Sequence, residues 1–152
     1  MLAANPAARV ISPKLVAGRN RLRPLLLDDT ERALYGDWHA TARRFVAVVR
    51  EVVGRHAADS GFAGLIDELR ACGPQFTELW DRHDVVASDT EVATFRHPSA
   101  GDLRLHLERL DVTGVTGQSL VVYHPVVGSR DADLLAALLA GQASAHASGA
   151  GA

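Results

Sequence analysis

Seven histidines and a single cysteine are the side chains of this 152-residue sequence best suited to metal or nucleophilic chemistry. Helical metal sites place histidines one turn apart and complete the set with carboxylates. No two histidines here stand at that spacing, and no acidic cluster accompanies them. The closest pair, His97 and His106, falls on neighbouring strands of a hairpin and reads as ordinary hydrogen-bonded histidines, so no metal is expected. Cys72 precedes Gly73 and Pro74 with no base beside it, which reads as a small half-buried residue and not a nucleophile. One cysteine also excludes an internal disulfide. Neither a nucleophile elbow nor a phosphate loop is present, since the glycines at 54, 61, 64, 73, 101, 114, 117 and 128 are dispersed turn formers. No catalytic residue and no cofactor emerge, and binding is expected in place of bond chemistry. A small hydrolase or isomerase would need a strongly shifted carboxylate or histidine inside a cleft.

Aromatic side chains point to a different chemistry. Trp38, Phe45, Phe62, Phe76, Trp80, Phe95 and Tyr123 fall on the inward stripes of helices and strands. Most are core residues. Helices packed on one face of a small antiparallel sheet can still enclose a cavity between the layers. Its walls would be Trp38, Phe76 and Trp80 from the helices and Tyr123 from the sheet. Arg96 or His97 would anchor a carboxylate there through a charge-assisted hydrogen bond.

The elements that must position these residues divide the chain in two. From Asp37 to His56, Trp38, Ala42, Phe45, Val46, Val49, Val52 and Val53 trace one helical stripe. Asp37 is the expected N-cap and Gly54 the expected stop. Phe62, Leu65, Ile66 and Leu69 mark a second helix, Gly73 and Pro74 break it, and Phe76, Leu79, Trp80 and His83 mark a third. After Asp84 the period changes to two. Val92–His97 and the alternation of Leu103, Leu105 and Leu107 with Arg104, His106 and Glu108 form a hairpin across Pro98 to Asp102. Leu120 to Tyr123 is an almost wholly apolar run expected of a central strand covered on both faces. A helix carrying Leu134, Leu135, Leu138 and Leu139 follows Gly128 and Ser129, and residues 141–152 are read as a disordered Ala/Ser/Gly tail.

Composition bounds the rest. An apolar share of 47% with 22% charged residues describes a single folded domain of ordinary size, residues 1–140, and no apolar run approaches the roughly 18 residues of a membrane span. Residues 2–5 lack the pattern of a secretory signal, so a cytoplasmic location and no membrane partner are expected. The net charge of -2 divides into +5 over residues 1–23 and -7 over the remainder. The basic stretch reads first as a solvated face and second as a contact for phosphates.

Five segments in order resemble one known family. These are Asn20–Arg23 ahead of Asp28; Leu34–Trp38; Phe76–Trp80 followed by His83, Asp84 and Val85; Phe95–Pro98 then Gly101; and Leu120–Tyr123 ending in Gly128 and Ser129. Together they resemble the MmyB-like ligand-binding domain over Leu2 to about Leu139. That family forms the C-terminal sensor of Xre-type helix-turn-helix regulators. The resemblance implies an α+β, PAS-like fold and a fatty-acid-like effector whose binding modulates DNA affinity. DNA would be met only through a helix-turn-helix domain preceding the stretch that matches Met1. This sequence departs from the family pattern at Leu26 and Leu27, where an aromatic residue is usual, and near His106 and Leu107, where a tyrosine is common.

The resemblance further implies that the first strand of a PAS-type sheet is missing and that Leu2–Asn5 ends the second. Leu120–Tyr123 would then carry an unpaired edge, which invites strand addition, so a homodimer or another partner strand is expected. The alternative is a dimerisation or protein-interaction module with a filled core and no ligand. An enclosed volume of roughly 300–1,000 Å³ favours the sensor and a solid interior the module.

Overall fold

The computed structural model describes residues 1–55, 60–71, 73–84, 90–115 and 118–149. Among them an α+β arrangement is formed by α1 (Pro6–Ile11), α2 (Leu22–Leu27), α3 (Asp29–Ala33), α4 (Trp38–Arg55), α5 (Ser60–Ala71), α6 (Pro74–Asp81), β1 (Thr90–His97), β2 (Gly101–Asp111), β3 (Ser119–His124) and α7 (Arg130–Gly149). The periodicities read from the sequence account for α4 to α6, the three strands and the first turns of α7, whereas the short helices α1, α2 and α3 are additional to the elements expected. Asp37 caps α4 as expected, accepting from the Ala40 N–H at 2.9 Å. The helix passes through Gly54 to Arg55 because a single glycine costs only about 1 kcal/mol and the valine stripe continues to pack. The expected end at His56, like Cys72, Val85 and Gly117, lies outside the described residues.

The strands form an antiparallel meander in the order β1-β2-β3. Phe95 is opposite Leu103, Ala93 opposite Leu105 and Leu107 opposite Tyr123, so these side chains share one face by the two-residue alternation. That face is buried against Leu25, Val46, Leu69 and Phe76 from the helices. The opposite face is open, with Val92, Leu110 and Leu120 exposed. Gly101 takes a φ of +72° to close the hairpin, a conformation glycine adopts without steric cost.

Three expectations change. β3 is an edge strand and not a central one, with Leu120 56% and Val121 46% exposed. An apolar run can follow from burial on two faces or from a surface left uncovered, and composition does not separate them. Residues 2–5 form no strand; Asn5 instead caps α1 by accepting from the Ala8 N–H at 2.8 Å. The backbone of α7 continues beyond 141 to Gly149.

The basic stretch is mostly a solvated face, with Arg9, Arg19 and Arg23 exposed and Lys14 and Arg21 half-buried. Lys14 pairs with Asp28 and Arg23 with Glu68, while Arg21 donates to the Tyr35 hydroxyl at 2.6 Å. Ten residues separate the two six-residue helices α1 and α2, unlike the short turn of a helix-turn-helix.

Candidate functional site

The six residues expected to line a pocket occupy several places. Phe76 and Trp80 do meet, their rings 5.4 Å apart, with Phe76 only 2% exposed. Trp38 ties α4 to α2 instead: its indole N–H donates to the Leu25 carbonyl at 2.8 Å, and the Arg32 guanidinium lies 4.6 Å from its ring. Tyr123 packs edge-on against Phe95 at 5.4 Å, and Phe95 meets Tyr35 at 5.5 Å. Rings therefore run in contact across the sheet from one edge to the other. Ordinary core packing occupies the layer interface here, where Leu103, Leu105 and Val46 are also fully buried.

Arg96 points away from that interface. It alternates with Phe95, so its side chain emerges on the open face and donates to the Gly36 carbonyl at 3.1 Å. There it borders a cavity of about 290 Å³ with Asp37, Thr94 and Asp102. Two carboxylates already face that arginine environment, which makes it a poor receptor for a third.

His97 does border an apolar space. A groove of about 460 Å³ lies between α1, the β1–β2 turn and α7, with walls from Val10, Ala100, Leu134, Ala137 and Leu138 and with His97 and Ser99 as its polar rim. The volume falls within the usual range for small-ligand sites, about 300–1,000 Å³. It opens at the surface and lies outside the helix–sheet interface where a hollow was expected. His97 Nδ1 accepts from the Ser99 N–H at 3.3 Å, and Nε2 lies 3.1 Å from the Val10 carbonyl oxygen. A backbone N–H can only donate and a carbonyl only accept, so the neutral ring carries its proton on Nε2. The Ser99 hydroxyl adds a contact to Nδ1 at 3.1 Å. Thus His97 ties α1 to the hairpin turn at the rim of the groove.

The outer wall is fixed by α7. Asp131 is buried, accepts from the Arg104 N–H at 3.2 Å and pairs with the Arg104 guanidinium at 3.4 Å. Ser129 starts the helix by presenting its carbonyl and hydroxyl to the Ala132 N–H. Leu134 and Leu138, one turn apart, are thereby held side by side.

A buried polar network beside the groove was not visible in the sequence. Glu31, 2% exposed, accepts from the Ser12 hydroxyl at 2.8 and 3.0 Å and from the Tyr35 hydroxyl at 3.4 Å. Burial raises the Tyr35 hydroxyl well above its ordinary pKa, with Arg21 opposing and Glu31 adding to the rise. Tyr123 is raised by the same cause, against the pull of Arg21 and Arg44. Ser12 and Glu31 stand nineteen positions apart, too far for any local spacing to show. Arg21 and Tyr35 were nonetheless present in the ordered segments.

Among the described residues no group of three metal-ligating side chains could hold an ion, and no helix is long and apolar enough to cross a membrane. The described residues thus form a layered α+β unit with an apolar groove at its flank. The family model described as MmyB-like transcription regulator ligand binding domain matches residues 1–139, and the chain belongs to that family. No curated protein matches the sequence.

Proposed function

We propose that the domain senses a small apolar effector of fatty-acid type, seated in the groove between α1, the hairpin turn and α7, and passes its occupancy to the DNA-binding part of a helix-turn-helix regulator. The observation that carries this reading is the groove itself, whose aliphatic walls and single polar rim suit a hydrocarbon chain with one polar end. His97 remains in the proposed site; Trp38, Phe76, Trp80 and Tyr123 act as the packed support, and Arg96 lies on the other face. Family membership supports the regulatory role. A PAS-like ancestry fits a meander sheet with helices on one face, and a cytoplasmic setting fits a transcription regulator.

Val10 gives the reading a route for coupling. It lines the groove, and Ser12 two residues later holds buried Glu31. An effector that displaces α1 would therefore reach the buried network through two residues of backbone.

The test is a thermal melt with decanoate and decanol. A ligand at a hundred times its Kd stabilises by about 2.7 kcal/mol, or roughly 5 to 10 °C for a domain of this size. Ala137→Trp, at an exposed helix position on the groove wall, should abolish the decanol shift while leaving the unliganded melt unchanged. Indifference of the wild type to both compounds would overturn the reading.

A second reading, a dimerisation module, is favoured by one observation: the outer edge of β3 has no partner strand among the described residues, and its apolar side chains are exposed. Light scattering after size-exclusion chromatography separates a monomer from a dimer directly.

A further inference from the structure

Arg50 presents an unusual unmet demand. It stands one helical turn after buried Val46 on α4, and its guanidinium lies over the Trp80 ring, 4.7 Å from the centroid. Trp80 in turn packs on Phe76. Both terminal nitrogens of Arg50 are shut off from solvent, and neither has a hydrogen-bond partner among the described residues. Guanidinium keeps its proton, so deprotonation offers no relief. The indole face attracts the charge but supplies no acceptor in the plane where these N–H groups point.

Among the described residues two other arginines have a shielded nitrogen without a partner, and the contrast is informative. Arg32 and Arg109 each leave only Nε without a partner. The Arg32 fork reaches the Leu26 carbonyl and Gln75, and the Arg109 fork reaches Glu51. Glu51, the carboxylate next to Arg50 in sequence, is engaged by Arg55 and Arg109. Arg50 is thus a fork whose in-plane donors are unclaimed, held against an aromatic wall in the seam between α4 and α6.

We propose that Arg50 and Trp80 form an oxyanion site, separate from the groove, in which a carboxylate or phosphate group lies edge-on to the guanidinium and any attached apolar part rests on Trp80. Charge-assisted bonds from an arginine fork are strong and planar, matching both classes of oxyanion. The α4–α6 seam would then respond to anion binding whether or not the groove is filled.

Trp38 and Trp80 are the two tryptophans of the chain, so Trp38→Phe makes the Trp80 emission a direct report from the site. Acetate, octanoate and inorganic phosphate are titrated separately at constant ionic strength with chloride as the balance. A saturable change is expected for at least one of them, with affinity weakened about tenfold or more by Arg50→Gln. The strongest response identifies the source: octanoate for a carboxylate with a tail, phosphate for a phosphoryl group. Arg50→Met supplies a measurement that needs no tryptophan replacement. Its melt in chloride alone should equal or exceed that of the wild type, because an unpaired buried charge is exchanged for an apolar chain, and added oxyanion should raise only the wild-type melt. Ala137→Phe, which fills the groove without adding a tryptophan, should leave every one of these responses intact, which distinguishes this site from the groove. Failure of all three anions to produce a saturable response, equal affinity in Arg50→Gln, or a lower melt of Arg50→Met in chloride would each overturn the proposal.

Discussion

The two long edges of the sheet are treated differently by the same chain. Along β1, residues 34–36 run as a short strap: the Gly36 N–H donates to the Thr94 carbonyl at 2.8 Å, the Arg96 N–H donates to the Leu34 carbonyl at 2.7 Å, and Tyr35 bridges Phe95. Along β3 the outer backbone groups meet no strand among the described residues. An unpaired edge of exposed valine and leucine is a template for another chain, whereas a strapped edge is closed to addition. The strap covers only the Thr94–Arg96 part of the β1 edge, whereas β3 is bare of any strand partner among the described residues.

That contrast breaks most strongly at Gly36. A Cβ there would sit 2.9 Å from Thr94 Cβ and 3.0 Å from its Cγ2, closer than packed atoms allow. Gly36→Val should destabilise by about 3 kcal/mol, the upper end for overpacking, and should expose the β1 amides to hydrogen exchange. A melt within error of the wild type would show that the strap contributes little.

The tyrosines at the two edges sharpen the comparison through pH. Tyr35 and Tyr123 both have hydroxyl pKa values raised above the ordinary 10.0 by burial. The folded state then holds its protons more tightly than the unfolded chain, so stability is fully present below pH 10 and falls as pH rises above it. Each tyrosine contributes a loss of up to about 1.4 kcal/mol per pH unit in that window. Denaturant midpoints measured through the alkaline range should fall accordingly, and Tyr123→Phe should flatten the slope. A slope unchanged by that substitution would remove β3 from the effect.

The smallest effect on stability is expected at the bare edge. Leu120→Lys, at a position more than half exposed, should alter the melt by no more than about 0.5 kcal/mol. It should nevertheless shift any self-association toward monomer, because a charge on an edge strand opposes pairing. A dimer unaffected by the substitution would mean that the copies meet elsewhere.

Much of the fold could be read from local pattern. The stripe of Phe45, Val46, Val49 and Val53, the Asp37 cap, the Gly73–Pro74 break and the alternation of Leu103, Leu105 and Leu107 each specify their element within a few residues. The candidate site was less legible. His97 reached the groove rim, but its neighbour Arg96 emerged on the opposite face, since adjacent strand residues cannot share one. Phe76 and Trp80 came together as helical neighbours at a spacing of four, whereas Trp38 found its partners in α2 and α3.

By itself, then, the order of residues determined α4 to α7, the three strands, their inward stripes and the family to which they add up, because those depend on periodicity and capping, whereas the short helices α1 to α3 span too few turns to show a period. Only the tertiary structure decided which strand lies at the edge, which edge receives the strap at Gly36, and that the two terminal nitrogens of Arg50 lose solvent without gaining an acceptor among the described residues. Such outcomes depend on contacts between segments tens of residues apart, and short-range spacing carries no record of them.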